Sequence, residues 1–199
     1  MEQDSRIARL GEALARRPAW LAPRHPRSRD AAVALLLRPR AELELLLIKR
    51  AQHESDPWSG HMALPGGRRE SHDQDLLATA LRETREEVGI DVVSTASLGA
   101  LDEVSPQTPR LPPIVISPFV LVVDADAAAS PAPEEVEIAL WVPLRALADD
   151  RAADELILEL EGMSRSFPAF RYGEHVIWGL THRILQQFLA LAAGAGVSG

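Results

Sequence analysis

The order of apolar runs predicts an α+β fold in which a mixed β-sheet is flanked by helices. Two apolar runs near the start, "AAVALLL" (31–37) and "ELELLLIKR" (42–50), are split only by "RPRA" and pattern as a hairpin. From about Asp73 to Val88 the apolar residues recur at the helical period. Further strand-like runs then lead to a long apolar segment that closes the chain. No fixed-period repeat is visible, and 199 residues, 46% hydrophobic and 25% charged, suit one domain with its own core.

The elements follow in order. Ile7, Leu10, Ala13 and Leu14 give residues 5–16 an amphipathic helix that Pro18 ends. With the link "APRHPRSRD" it forms an N-terminal helix and linker (1–30), ahead of the main domain (31–193). "DPWSGHMALPGG" (56–67) is a loop with a short extended piece, Met62 to Leu64. In the next helix Leu77, Ala80, Leu81, Thr84 and Val88 line one face, Asp73 is the expected N-cap and Gly89 the stop. "DVVSTASLGAL" (91–101) and "IVISPFVLVV" (114–123) are expected strands. The Pro-rich loop 102–113 between them is a candidate lid. "IALWVPL" (138–144) is a short strand. Residues 144–158 are expected as a broken helix and 174–193 as one long helix carrying Trp178 and His182, with 194–199 a disordered tail.

Composition excludes several classes. With 21 basic and 29 acidic side chains the net charge is −8, which argues against an extended nucleic-acid surface. The absence of cysteine removes disulfides and thiolate metal sites. No signal-like or 18-residue apolar stretch occurs, so the expectation is a cytoplasmic protein without membrane contact.

One placement is electrostatically unfavourable. Glu83, Glu86 and Glu87 share one patch of helix surface and lie in its last turns, where the macrodipole disfavours anions by a few tenths to about 1 kcal/mol each. A solvated acidic face is the ordinary reading of such a run. Against the dipole, a compensating divalent cation accounts for it better. Carboxylates without Cys or His select a hard ion, Mg²⁺ or Mn²⁺, which shares its shell with substrate phosphates. Gly66-Gly67 just upstream lets backbone approach a ligand closely, and the Gly67 carbonyl could reach the same ion.

These residues resemble the Nudix hydrolase signature, G-x5-E-x7-R-E-U-x-E-E-x-G-U. Arg82 to Ile90 match its second half, with Thr84 in the aliphatic slot. In the first half Asp73 stands where the signature has Glu, and one extra residue separates it from Arg82. This variation is similar to the coenzyme A pyrophosphatase branch, as are "LLIKRA", "LPPIVISPFV", "EEVEIALWVPLRAL" and "VIWGLTHRIL", so the resemblance spans about residues 30–190. Trp58-Ser59-Gly60-His61 replaces the H-x-G-Q of that branch.

The resemblance implies an α/β/α sandwich and Mg²⁺- or Mn²⁺-dependent hydrolysis of a nucleoside diphosphate linked to another group. Coenzyme A or its thioesters lead, giving 3′,5′-ADP and 4′-phosphopantetheine; ADP-ribose, NADH or nucleoside triphosphates are the alternatives. A non-catalytic nucleotide-binding module and a calcium protein are the competing classes, and the intact glutamate set speaks against the first. Glu83, Glu86, Glu87 and Gly67 are the implied metal ligands, with Arg82 orienting them. Glu135, Glu137 and Glu103 are candidates for the general base or an extra ligand. Arg50, Arg68, Trp58 and His61 are candidate substrate contacts, and Arg68, Arg69 and Arg110 could meet a 3′-phosphate. The expected partner is a small nucleotide-derived molecule, on a monomer or homodimer.

Overall fold

Alternation in the first hairpin sets the layers. The structure is a computed structural model and describes residues 4–53, 58–106, 113–160 and 163–197. Strands β1 (Arg29–Pro39) and β2 (Leu43–Arg50) pair antiparallel, as their apolar runs predict. Successive side chains point to opposite faces. Leu35 and Leu37 of β1 therefore join Leu43, Leu45 and Leu47 of β2 in one apolar cluster, while Ala34, Leu36, Leu46 and Ile48 join another. A sheet apolar on both faces needs a helical layer on each. Ile7, Leu10 and Leu14 of α1 (Ser5–Ala15), with Ile184, Leu185 and Phe188 of α4 (Gly179–Gly194), cover the first face. Ala80 and Val88 of α2 (Leu76–Val88) cover the second.

The sheet splits at its centre. On one side β1 runs parallel to β6 (Ile114–Val122), which pairs antiparallel with β5 (Ser97–Ala100). On the other side β1 pairs first with β4 (Gly66–Arg68) and then with β2. β2 goes on to pair with β3 (Met62–Ala63) and with β7 (Val136–Pro143). β1 and β2 thus diverge, and β3 and β4 fill the wedge of the mixed seven-stranded sheet. The wedge admits only glycine at position 66. Its φ is +154°, and a Cβ there would lie 2.3 Å from the Ala32 carbonyl oxygen.

Several expectations need correction. Asp75, not Asp73, caps α2, its carboxylate accepting from the Ala78 N–H at 2.8 Å. Only the end of 91–101 is strand; a 3₁₀ turn (Ser94–Ala96) precedes it. The broken helix expected over 144–158 is a short α3 (Leu144–Ala148), a 3₁₀ turn and then strand β8 (Ala153–Leu160). β8 pairs with β9 (Met163–Tyr172), which pairs with β10 (His175–Trp178), in a second sheet of three strands. The apolar residues of "ADELILEL" satisfy either period over so short a run, and the partner strand decides. The last helix accordingly starts at Gly179, and Trp178 stands at its N-cap rather than on it. The tail expected to be disordered from 194 is packed through 197: Val197 is buried, and its N–H donates to the Ala192 carbonyl at 2.8 Å. Residues 198 and 199 lie outside the described residues.

The head of the Pro-rich loop is a clamp for the N-terminal linker. Asp102 accepts the Trp20 N–H at 2.7 Å and pairs with Arg17. Buried Glu103 accepts the Ala22 N–H at 2.9 Å and the Ser117 hydroxyl at 2.6 Å, and pairs with Arg24. Glu103 is thus committed to the fold and does not serve as a base. Residues 107–112, including Arg110 and most of the candidate lid, lie outside the described residues.

Burial pushes the Glu103 carboxyl up, but Arg24, Ser117 and the Ala22 N–H outweigh it and hold the group below its usual 4.5. A depressed carboxylate contributes stability above its unfolded pKa that is lost as pH falls through the folded value. Glu103→Ala is expected to cost about 2–3 kcal/mol and lower Tm by roughly 4–12 °C at neutral pH. Thermal melts as a function of pH check this; the gap to wild type closes below pH 4.5, and a gap unchanged down to acid would refute the assignment.

Candidate active site

The end of α2 is built to be held from outside. Gly89 adopts a left-handed cap (φ +66°) and its N–H donates to the Arg85 carbonyl at 3.0 Å. The segment before β7 supplies two further donors, Ser130 N–H to the Val88 carbonyl at 2.8 Å and Ala132 N–H to the Glu87 carbonyl at 2.9 Å. That same segment then delivers Glu135. Thr84, in the position the signature gives to an aliphatic residue, is buried because its hydroxyl donates to the Ala80 carbonyl at 2.7 Å.

Carboxylate oxygens of Glu83, Glu87 and Glu135 lie within 4.8 Å of one another. Glu87 is 1% exposed; it accepts the Gly66 N–H at 2.8 Å and faces an Arg50 nitrogen at 3.7 Å. Burial, reinforced by Glu83 and Glu135 and only partly relieved by the Gly66 N–H and Arg50, pushes its pKa up to about 8. Burial likewise raises Glu83, against the pull of Arg82. Gly67 makes the convergence possible, since a Cβ there would stand 2.4 Å from Glu83 Oε1.

Arg82 holds this group from behind. Its Nε and Nη2 reach the two Asp73 oxygens at 3.0 and 3.1 Å, and its Nη1 lies 2.9 Å from Glu83 and 2.8 Å from Glu86. Nη2 also donates to the Arg68 carbonyl at 3.1 Å. Asp73 is buried, accepts the Glu70 N–H and Thr79 hydroxyl at 2.8 and 2.9 Å, and is held well below the usual carboxylate range, chiefly by Arg82. Its role is to fix Arg82, a partnership the sequence conceals because the nine-residue separation falls across the helix start.

The structure brings together some of the expected residues and separates others. Glu83, Glu87, Glu135, Gly67, Arg82 and Arg50 meet in one place. Glu86 does not join the three converging carboxylates; it is exposed and paired with Arg82. Glu137, two residues from Glu135, pairs with Lys49 at 2.7 Å. The β2–β7 register shifts between Lys49 and Arg50 and skips Glu137, so the two glutamates part company. His61 packs edge-on against Trp178, ring centroids 5.0 Å apart, and Trp58 closes the turn into His61 through a backbone hydrogen bond of 3.2 Å. His182 is buried against Phe170, and burial lowers its pKa. No helix among the described residues is long and apolar enough to cross a membrane.

The donor set suits a hard divalent cation. Three carboxylate oxygens converge, one on a nearly buried side chain whose charge the Gly66 N–H and Arg50 offset only in part.

Comparison with known proteins places these features in a wider set. The profile of the NUDIX domain matches residues 27–160, which include every residue of the acidic site. A Nudix hydrolase of Yersinia pestis, NudL, itself described as uncharacterised, is 32% identical over 159 residues, covering 80% of this chain and 77% of that one. An uncharacterised protein of Schizosaccharomyces pombe is 35% identical over 131 residues, but the chain spans only 40% of its length. Among solved structures, a MutT/nudix family protein from Enterococcus faecalis superimposes with a TM-score of 0.59 at 18% identity, covering 98% of this chain and 71% of that one. A C. elegans Ap4A hydrolase gives 0.51 at 18%, covering 83% and 98%. Both share the fold.

A carboxyl raised to about 8 penalises the folded state once pH exceeds its unfolded value of 4.5, and the penalty is complete above pH 8. Glu87→Gln is therefore expected to raise Tm of the metal-free protein at pH 8.5, by about 2–4 °C per kcal/mol relieved, and to lose that advantage near pH 5. Mg²⁺ should stabilise the wild type more at pH 8.5 than at pH 6, because it competes with the proton. Melts with and without chelator test both; equal Mg²⁺ shifts at the two pH values would contradict them.

Proposed function

The chain belongs to the NUDIX domain family, and from that premise we propose that it is a Mg²⁺- or Mn²⁺-dependent pyrophosphohydrolase of nucleotide derivatives, acting on coenzyme A or its thioesters. The observation that carries the reaction class is the convergence of Glu83, Glu87 and Glu135 within 4.8 Å beside the Gly66-Gly67 pair of β4. Those three carboxylates would hold the cation, with the Gly67 backbone beside them. When bound, the cation supplies charge neutralisation and polarises the pyrophosphate phosphorus.

The side chains of the chain have distinct tasks. Asp73 orients Arg82, and Arg82 fixes Glu83, so that the carboxylates are preset before substrate arrives. Arg50, at 3.7 Å from Glu87, is the cation positioned to meet a phosphate oxygen. Glu135 is the most exposed of the three glutamates and is the base that takes the proton of the attacking water. The new P–O bond forms as the anhydride P–O bond breaks, and the leaving phosphate carries the displaced electron pair. Glu86 supports Arg82 from the solvent side, a lesser role than a ligand's.

Coenzyme A is favoured by the segments that resemble the coenzyme A pyrophosphatase branch, of which Trp178-Gly179-Leu180-Thr181 places Trp178 against His61 beside β3. The test is a substrate panel with Mg²⁺ or Mn²⁺: coenzyme A, acetyl-CoA, ADP-ribose, NADH, dinucleoside polyphosphates and dNTPs, with products read by mass spectrometry. The expected products are 3′,5′-ADP and 4′-phosphopantetheine. Glu83→Gln and Glu87→Gln should each lower kcat by about 10²–10⁴-fold. Asp73→Asn, acting through Arg82, should cost about 10–100-fold, and Glu86→Gln less than either ligand. AMP from ADP-ribose or NADH, with coenzyme A untouched, would reassign the substrate. No metal-dependent turnover at all would favour a binding module.

A further inference from the structure

Of the three converging carboxylates, Glu135 is the one held least directly. Arg82 anchors Glu83 and the Gly66 N–H anchors Glu87. Glu135 is exposed and stands just before β7, and among the described residues no hydrogen bond or ion pair holds its side chain. Where its carboxylate points therefore depends on its backbone.

That backbone is held at four points. The peptide unit between Glu134 and Glu135 has its C=O bonded to His53 Nε2 at 2.6 Å and its N–H to the Ala132 carbonyl at 3.0 Å. The next unit, between Glu135 and Val136, accepts the Ala51 N–H at 2.9 Å and donates to the same Ala132 carbonyl at 2.8 Å. Both peptide planes flanking the Glu135 Cα are thus satisfied at both ends, which fixes φ and ψ of that residue. Main chain makes three of the four contacts; the imidazole of His53 makes the fourth.

A side chain is needed there because the ladder runs out. β2 ends at Arg50 and β7 starts at Val136, with their register already shifted beside them. The Ala51 N–H carries the backbone pairing one residue further, and the His53 ring spans the next interval. The Glu134 carbonyl can only accept, so Nε2 carries the proton in this contact. His53 is itself seated. Its N–H donates to Ser59 Oγ at 2.6 Å, and that hydroxyl lies 3.3 Å from the Ala51 carbonyl and 3.2 Å from Gln52 Oε1. Ser59 thereby ties the segment 51–53 to the turn that leads into β3.

We propose that His53 is a positioning residue for Glu135: by holding the Glu134 carbonyl it keeps the Glu135 carboxylate in register with Glu83 and Glu87. The proposal rests on the reading of Glu135 as metal ligand and base given above. Without the imidazole the 134–135 peptide is released at one end, and the exposed glutamate has solvent to turn into. The loss falls on kcat and on the metal, since His53 contacts none of the groups assigned to the substrate.

His53→Ala is expected to lower kcat about tenfold with KM little changed. His53→Gln, which offers an amide N–H in place of the ring N–H, should recover most of it. His53 is exposed, so Tm of both variants should stay within about 2 °C of wild type. The double variant separates positioning from a general effect: in a Glu135→Gln background, His53→Ala should change nothing further, because the group it positions is gone. Calorimetric Mn²⁺ binding to the nucleotide-free protein runs the same cycle without turnover, with a loss of about tenfold on His53→Ala only while Glu135 is present. Wild-type kcat and Mn²⁺ affinity in His53→Ala overturn the proposal, as does an undiminished loss in the Glu135→Gln background. A wild-type protein that neither turns over any nucleotide nor binds Mn²⁺ overturns the pyrophosphohydrolase reading itself, and the proposal with it.

Discussion

Everything around α2 answers to the burial of like charges. Glu83 and Glu87 are drawn together with Glu135 in a place where one of them is 1% exposed and prefers to hold a proton at neutral pH. Left alone, such a group would relax by swinging a glutamate into solvent. The surroundings prevent it. The Gly66 N–H anchors Glu87, Arg82 anchors Glu83, and Asp73 anchors Arg82 through two hydrogen bonds. The strain is thereby kept in the electrostatics, where a divalent cation relieves it, instead of being lost to side-chain rotation.

The fold supplies those anchors through one topological decision. β1 and β2 start as a hairpin and then diverge, so the chain between β2 and α2 can re-enter the sheet as β3 and β4. β4 lies under α2, and only glycines there let the glutamates approach the strand backbone. The helix C-terminus is closed from the other side by Ser130 and Ala132, and the short run onward carries Glu135 in. Sequence-distant carboxylates therefore meet because the helix cap and the third glutamate belong to one continuous segment.

The local parts of this were legible in the sequence, and the non-local parts were not. Apolar runs predicted the first hairpin, and the 3.6-residue period predicted α2 with its Gly89 stop, because both depend on near neighbours. Unfavourable charge placement at the helix end singled out Glu83, Glu86 and Glu87 alike without any tertiary information. Glu86 has the same helical spacing and shares Arg82 with Glu83, yet its carboxylate stays on the exposed side and outside the converging three, a distinction of about 100° per residue that packing decides. Glu135 and Glu137 are indistinguishable by type and position; a register shift opposite Lys49 and Arg50 separates them. Asp73 resembled a helix cap because Asp at a helix start usually is one, but Asp75 took that place and freed Asp73 for Arg82. β8 to β10 were missed because strands of mixed polarity in a small second sheet leave neither period clearly expressed.

The overall charge of −8 opposes a substrate rich in phosphate, and the arrangement of charge resolves that tension. Screening limits exposed charges to a reach of about 8–10 Å, so what an incoming anion meets is the local set. On one side of β4 the acids are concentrated, where a cation can invert their sign. Just past the strand's end, Arg29, Arg68 and Arg69 lie beside Asp30 and Glu70, so both signs of charge meet there. An acidic protein can thus meet a phosphate-bearing molecule, because at the carboxylate cluster a bound cation, and not the net charge of the chain, sets the local sign.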